Sequence, residues 1–221
     1  MYEQNKEEIQ MTSEKKPNIK PASDGPYLVK GLKKFANQKG PIEAKETMAL
    51  CRCGESANKP FCDGTHAKIG FSSAKLAGRV EDKRENYPGK KITIHDNRGI
   101  CAHAGRCNDG LATVFRLKEE PWIHADAASA DEIIATIQQC PSGALSYSVA
   151  YVEHGERDGE PTIFVAPNGP YVVSGGPELG DTTRAEGAAK GHFTLCRCGG
   201  SKNKPFCDGT HWQIKFKDDK N

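Results

Sequence analysis

Apolar residues are scarce in this chain of 221 residues: 36% are hydrophobic and 7% aromatic, with two tryptophans and three methionines. So little apolar material argues against one large hydrophobic core. It favours small units that draw part of their folding free energy from bound metal. No apolar run is long enough to cross a bilayer. The leading residues MYEQNKEEIQMTSEKKPNIK lack the apolar stretch of a secretory signal and the arginine-rich, acid-poor character of a transit sequence. They are expected to form a disordered tail over 1–16, and the protein is expected to be cytoplasmic. An excess of one charge is lacking too. The 31 Lys and Arg against 29 Asp and Glu leave a formal net charge of +2, so no nucleic-acid partner is expected. No P-loop, GxGxxG, GxSxG or HExxH pattern occurs, so no substrate site and no catalytic residue is assigned.

Cysteine, by contrast, is plentiful. The nine cysteines, an odd number, fall into three groups of three: Cys51, Cys53 and Cys62; Cys101, Cys107 and Cys140; Cys196, Cys198 and Cys207. In a reducing compartment clustered cysteines are metal ligands more often than disulfides. With none left over, three separate metal sites are expected.

Two of the groups belong to a repeat. CRCGESANKPFCDGTH over 51–66 and CRCGGSKNKPFCDGTH over 196–211 differ only at Glu55/Gly200 and Ala57/Lys202. Each copy sets three thiols and one imidazole at the spacing C-x-C-x8-C-x3-H, which suits zinc or an iron–sulfur cluster. Upstream, GPYLVKG over 25–31 matches GPYVVSG over 169–175. Downstream, KIGF over 68–71 matches QIKF over 213–216. Each repeat reads as a strand, a glycine-rich turn, a second strand, the ligand loop and a closing strand, with a short helix after the Asp-Gly turn to return His66 or His211 to the metal. The repeats are placed at 17–75 and 161–221.

Both loops resemble the CDGSH iron–sulfur motif, C-x-C-x2-(S/T)-x3-P-x-C-D-G-(S/T)-H. Ser56, Pro60, Asp63, Gly64 and Thr65 match its fixed positions in the first copy, and Ser201, Pro205, Asp208, Gly209 and Thr210 in the second. The resemblance implies one [2Fe–2S] cluster on Cys51, Cys53, Cys62 and His66, and another on Cys196, Cys198, Cys207 and His211. Many members of that family carry one motif and pair as two-fold dimers, so two copies in one chain imply a monomer with an internal pseudo-dimer. One imidazole per set makes reduction easier than four thiolates would. It also makes the centre acid-labile, because a protonated His cannot hold metal, and couples its redox step to a proton. Arg52, Arg197, Lys59 and Lys204 lie inside the loops. They offset thiolate charge, dock an acidic redox partner or are solvated surface charges.

Between the repeats, 85–153 reads differently. Ile92-Thr93-Ile94-His95 alternates as a strand, Ser129 and Glu132 have capping-box spacing, and Ile133, Ile134 and Ile137 follow at helical spacing. Leu145, Tyr147, Val149 and Tyr151 alternate again. Cys101-Ala-His-Ala-Gly-Arg-Cys107 and the distant Cys140-Pro141 overlay a bacterial ferredoxin run, with Ala104 where the middle thiol would stand. The segment resembles a divergent single-cluster ferredoxin domain through C-x-H-x-G-x-C, Val114-Phe115, Pro121-Trp122-Ile123 and CPSGAL. Cys101, Cys107 and Cys140 then imply a [3Fe–4S] cluster, or a [4Fe–4S] cluster with a fourth ligand for which His103 is the nearest candidate. His95, His124, His154 and His192 have no partner pattern and read as structural or exposed.

The expected fold class is α+β, two small β-rich CDGSH-type iron–sulfur units flanking a ferredoxin-like α+β unit. The expected function is one-electron transfer between redox partner proteins, with no substrate site of its own and no membrane partner. Three rival readings are delivery of clusters or iron to apo-acceptor proteins (or redox sensing), a structural zinc scaffold, and an enzyme wired internally by its clusters.

Overall fold

The computed structural model describes residues 16–221, so nearly all of the tail expected over 1–16 lies outside the described residues. The first repeat forms β1 (Asn18–Pro21), β2 (Tyr27–Lys30), β3 (Lys34–Asn37), β4 (Gly40–Pro41) and β5 (Thr47–Leu50), then a single helical turn, α1 (Thr65–Lys68). The central segment forms β6 (Arg84–Pro88), β7 (Thr93–Asn97), α2 (Arg106–Gly110), α3 (Ala130–Ile137), β8 (Leu145–Val149) and β9 (Val152–His154). The second repeat forms β10 (Thr162–Val165), β11 (Tyr171–Ser174), β12 (Glu178–Leu179), β13 (Phe193–Leu195) and α4 (Thr210–Gln213).

The β-rich units flank the α+β unit in sequence, but in space they interleave. One sheet has the order β12-β1-β2-β5 and a second the order β13-β11-β10-β3-β4. Within each repeat a tight antiparallel hairpin forms, β1 with β2 and β10 with β11. The next strand then crosses over. β3 lies parallel to β10 with Phe35 opposite Ile163, and β12 lies parallel to β1 with Leu179 opposite Ile19. Strands bury alternate residues, Tyr27 and Val29 in β2 and Tyr171 and Val173 in β11. The result is one core to which each repeat gives seven buried side chains, among them Ile19, Tyr27, Phe35 and Leu50 from the first and Ile163, Tyr171, Phe193 and Phe206 from the second. The two repeats, placed as separate units at 17–75 and 161–221, thus share a single core. Crossover strands leave neither repeat able to close its own core, and exposing such side chains costs about 1.5–3 kcal/mol each.

The central segment has its own core, built on Ile92, Ile94, Ile133, Ile137 and Leu145. Its sheet runs β6-β7-β8-β9, antiparallel throughout. Ser129 caps α3 with both bonds of the capping box present, and Ile133 and Ile137 are buried beneath the helix while Ile134 is half-buried. Two expectations fail. The strand expected to reach Tyr151 stops at Val149, because Ala150 and Tyr151 take positive φ of 48° and 66° and turn the chain into β9. The closing strands expected over 68–71 and 213–216 are absent. Those residues end α1 and α4 instead, where the amides of Phe71 and Phe216 bond back to the carbonyls of His66 and His211 at 3.0 Å.

Candidate metal centres

Each ligand loop leaves the end of a core strand and folds against it. The Cys51 amide donates to the Pro60 carbonyl at 2.8 Å and the Cys62 amide to that of Ala49 at 2.8 Å; Cys196 and Cys207 repeat this with Pro205 and Thr194. Ser56 and Asp63 brace the loop from within. The Ser56 hydroxyl donates to the Phe61 carbonyl at 2.7 Å, and the Asp63 carboxylate accepts from the amides of Ala57 at 2.8 Å and Thr65 at 3.0 Å. Ser201 and Asp208 do the same in the second copy. Hydrogen bonds from Thr65 and Ala57 hold the Asp63 carboxyl well below the usual carboxylate range.

The donors fall into pairs. Cys51 and Cys53 Sγ stand 3.8 Å apart, and Cys62 Sγ stands 3.3 Å from His66 Nδ1. In the second set the distances are 3.9 Å for Cys196 and Cys198 and 3.4 Å for Cys207 and His211. Among the described residues, no group of three or more His, Cys, Asp or Glu converges closely enough for a single ion. A hydrogen bond from Cys53 brings the Cys51 thiol down to about 6, and one from Cys196 lowers Cys198. Burial pushes Cys207 well up and His211 down.

Arg52 and Arg197 are neither docking charges nor solvated ones. They are 4% and 1% exposed. Arg197 donates to the carbonyls of Gly169 at 2.7 Å and Ala166 at 2.9 Å and pairs with Asp218; Arg52 donates to that of Ala22 at 3.1 Å. Lys59 and Lys204 each turn back onto a loop carbonyl, of Ser56 and Ser201, at 2.7 Å. The two arginines tie each ligand loop to the hairpin of its own repeat, and the two lysines close the loop on itself. Phe61 and Phe206 line the shared core.

The two loops also touch one another. Cys53 and Cys198 form an antiparallel bridge. Gly54 and Gly199 beside them take φ of 86° and 77°, and a methyl group on either would fall 2.5 or 2.3 Å from the other loop's cysteine carbonyl oxygen. Tyr27 of the first repeat places its hydroxyl 2.9 Å from the carbonyls of Cys196 and Pro205, and Tyr171 of the second reciprocates on Cys51 and Pro60. Neither tyrosine carries a sequence signal as a loop brace.

The central thiols Cys101, Cys107 and Cys140 line a cavity of about 270 Å³ together with Asp96, Arg98, His103 and Trp122. Burial pushes the Cys101 thiol up to about 12 and raises Cys107. Ala104, at the missing thiol position, is exposed. His103 has φ of 52°, and its ring lies against the second ligand loop: a methyl on Gly209 would fall 2.6 Å from His103 Cδ2. Trp212 Nε1 donates to the His103 carbonyl at 3.2 Å, and Asn203 Nδ2 to that of Gly99 at 2.7 Å. The central unit thereby covers the second set, where His211 is 5% exposed, while His66 of the first is half-buried. Of the remaining histidines, His95 bridges Asn86 and Ser148 at 2.7 and 2.6 Å, His154 stacks on Tyr147, and His192 is buried.

Asp96 carries no sequence motif. It is 1% exposed, neither of its oxygens has a hydrogen-bond partner, and burial raises its carboxyl to about 7.

Residues 24–67 and 168–212 match the family described as iron-binding zinc finger CDGSH type, and 87–150 match the family described as divergent 4Fe-4S mono-cluster. The uncharacterized protein YjdI of Escherichia coli strain K12 is 43% identical to this chain over 61 residues, 28% of this chain and 80% of that protein. The protein of the same name from Escherichia coli O157:H7 matches to the same extent. No solved structure matches.

Proposed function

The chain belongs to the CDGSH-type iron-binding family, with a divergent 4Fe–4S mono-cluster domain set between its two copies, and on that premise we propose that it is a one-electron carrier with three centres. It is an iron–sulfur protein of the ferredoxin type, and none of the described helices is long and apolar enough to cross a membrane. The proposed centres are a [2Fe–2S] cluster on Cys51, Cys53, Cys62 and His66, a second on Cys196, Cys198, Cys207 and His211, and a [3Fe–4S] or [4Fe–4S] cluster on Cys101, Cys107 and Cys140.

Support for two-metal sites comes from the donor pairs. Sulfur ligands at about 2.3 Å from a tetrahedral metal stand about 3.8 Å apart. Each cysteine pair, at 3.8 or 3.9 Å, spans one such edge, and each Cys–His pair supplies another. When bound, the clusters supply reversible one-electron chemistry at potentials set by ligand type, hydrogen bonds to sulfur and burial. The chain's own residues fix those terms. The Gly64 amide donates to Cys62 Sγ at 3.4 Å, and the His103 amide to Cys101 Sγ at 3.4 Å.

The observation that carries transfer, rather than three independent sites, is their contiguity. The central thiol loop touches the second set through His103 and Gly209, and the second set touches the first through Cys53 and Cys198. The half-buried His66 then faces a partner protein. We propose that the chain works as a monomer, with its two repeats standing where two chains would pair.

Spectra of anaerobically purified protein before and after dithionite, with iron, sulfide and zinc counts, test the reading. Reducible [2Fe–2S] signals beside a distinct signal from the central site support it. A colourless, zinc-loaded protein that takes up no iron and sulfide sinks it and leaves a scaffold.

A second reading, delivery of clusters to apo-acceptor proteins, is favoured by the contrast between the half-buried His66 and the covered His211. It requires loss from the first set to outpace loss from the second when an apo-acceptor is added. Reversible reduction with no such loss favours the carrier.

A further inference from the structure

β7 presents a row of side chains to the core of the central unit. Ile92, just before the strand, and Ile94 within it are 3% and 0% exposed, and alternation puts Asp96 in the same row. A carboxylate buried among apolar groups is costly unless it is paired, hydrogen-bonded or bound to metal. Asp96 is weakly paired. Arg98 Nε stands 3.8 Å from Oδ2, and the Arg98 guanidinium lies over the Trp122 ring at 4.3 Å. Trp122 Nε1 lies near the carboxylate, yet neither group makes a hydrogen bond. Asp96 lines the same cavity as Cys101, Cys107 and Cys140, close enough for its charge to act on the Cys101 thiol. That cavity lacks one donor of a four-ligand set, and the residue at the missing thiol position, Ala104, is exposed.

We propose that Asp96 is the fourth ligand of the central site, an oxygen donor that completes the three-thiol set. The proposal rests on the iron–sulfur reading of that site. A carboxylate is a harder donor than thiolate, so the metal corner it holds is the exchangeable one, suited to uptake and loss of ferrous iron. His103 is left to its contact with Gly209 of the second ligand loop.

The full-length chain, reconstituted anaerobically with iron and sulfide, provides the test as wild type, Asp96→Asn, Asp96→Cys and His103→Ala. Iron and sulfide are counted, loss of ferrous iron to a chelator is timed, and paramagnetic resonance is recorded after anaerobic one-electron oxidation with a mild dye oxidant such as thionine, where a three-iron centre gives a signal and two-iron and four-iron centres do not. The expected wild type holds a four-iron central site. Asp96→Asn is expected to show the three-iron signal, and any fraction that still holds four irons to lose the fourth about 10-fold faster or more. Asp96→Cys is expected to restore the four-iron centre and make it harder to reduce, and His103→Ala to retain it. Wild-type iron content and chelator kinetics in Asp96→Asn overturn the proposal, as does loss of the fourth iron in His103→Ala alone. A wild type with no cluster beyond the two CDGSH-type ones overturns the iron–sulfur reading of the central site first, and the proposal with it. Melting of the metal-free chains is a second readout. A carboxylate kept for metal leaves Asp96→Asn at least as stable as wild type. A lower melting temperature marks Asp96 as a structural partner of Arg98 and Trp122, and the proposal falls.

Discussion

Each ligand loop hangs on a tyrosine from the other repeat. Tyr27 and Tyr171 are fully buried, and each shares one hydroxyl proton between two loop carbonyls. Removing a hydroxyl that serves buried acceptors costs roughly 1–3 kcal/mol. Tyr27→Phe is therefore expected to lose about that much in denaturant unfolding and to speed iron loss from the second set; Tyr171→Phe should speed it from the first. Equal effects on both sets would contradict this crossed bracing. His192 gives a pH dependence. It is 2% exposed with Nδ1 unpartnered, and burial, aided by Arg157, lowers its pKa from 6.5 to about 4. Below about pH 6.5 the unfolded chain takes up this proton and the folded chain does not, so stability falls between about pH 6.5 and about pH 4 and is unaffected above that window. The loss reaches up to about 3 kcal/mol at the acid end. His192→Phe should unfold with a midpoint that moves less across that window than the wild type's; an identical slope would remove His192 from the account. The candidate donors themselves stand out in the sequence because their spacing is fixed and their side chains have no other common use in that pattern; the structure brings them together as the pairs Cys51–Cys53, Cys62–His66, Cys196–Cys198 and Cys207–His211. Arg52 and Arg197 were not, since their partners are backbone carbonyls that leave no trace in sequence. Asp96 did leave a trace, a carboxylate in phase with Ile92 and Ile94.

At the scale of elements, the single turns α1 and α4 start from glycines in the same left-handed conformation, Gly64 at φ 86° and Gly209 at φ 82°. A methyl group on Gly64 meets open space, whereas one on Gly209 strikes the ring of His103. Gly64→Ala therefore carries only the backbone strain, about 1–2 kcal/mol. Gly209→Ala carries the same strain and also pushes the central thiol loop off the second set. It should be the less stable variant in unfolding. It should also show weaker magnetic interaction between the clusters proposed for the central and second sets in the reduced protein, with Gly64→Ala unchanged in that signal. Equal spectra would mean that the His103 contact does not set the spacing of the centres. The capping box at Ser129 and the alternation of β7 were readable because they are local. The missing closing strands were not readable. Phe71 and Phe216 have strand-like neighbours in sequence, but their amides are taken by the carbonyls that end each helical turn, and their rings lie 5.8 and 5.0 Å from Arg52 and Arg197.

For the molecule as a whole, the crossover of β3 and β12 is what the sequence pattern could not show, because parallel pairing between distant repeats has no local signal. Its consequence is testable. In the intact chain β1 pairs in parallel with β12, and β3 with β10. Since β3 and β12 occupy equivalent places in the two repeats, as do β1 and β10, an isolated first repeat can meet the same needs by lending its β3 to the β1 of a second copy. Left single, it would expose the faces of Ile19, Tyr27 and Phe35, each buried in the shared core. It would also leave its ligand loop without the hydroxyl that Tyr171 supplies, a place that Tyr27 of a second copy can take. Residues 16–80 expressed alone are therefore expected to fold as a homodimer carrying one donor set per copy, and the full-length chain to remain a monomer, both read by light scattering coupled to gel filtration. Two-fold pairing of this kind is self-complementary, so it closes at two copies and does not extend. A well-folded monomer of 16–80 with a stable donor set would show that the exchange of strands is dispensable, and that each repeat closes its own core.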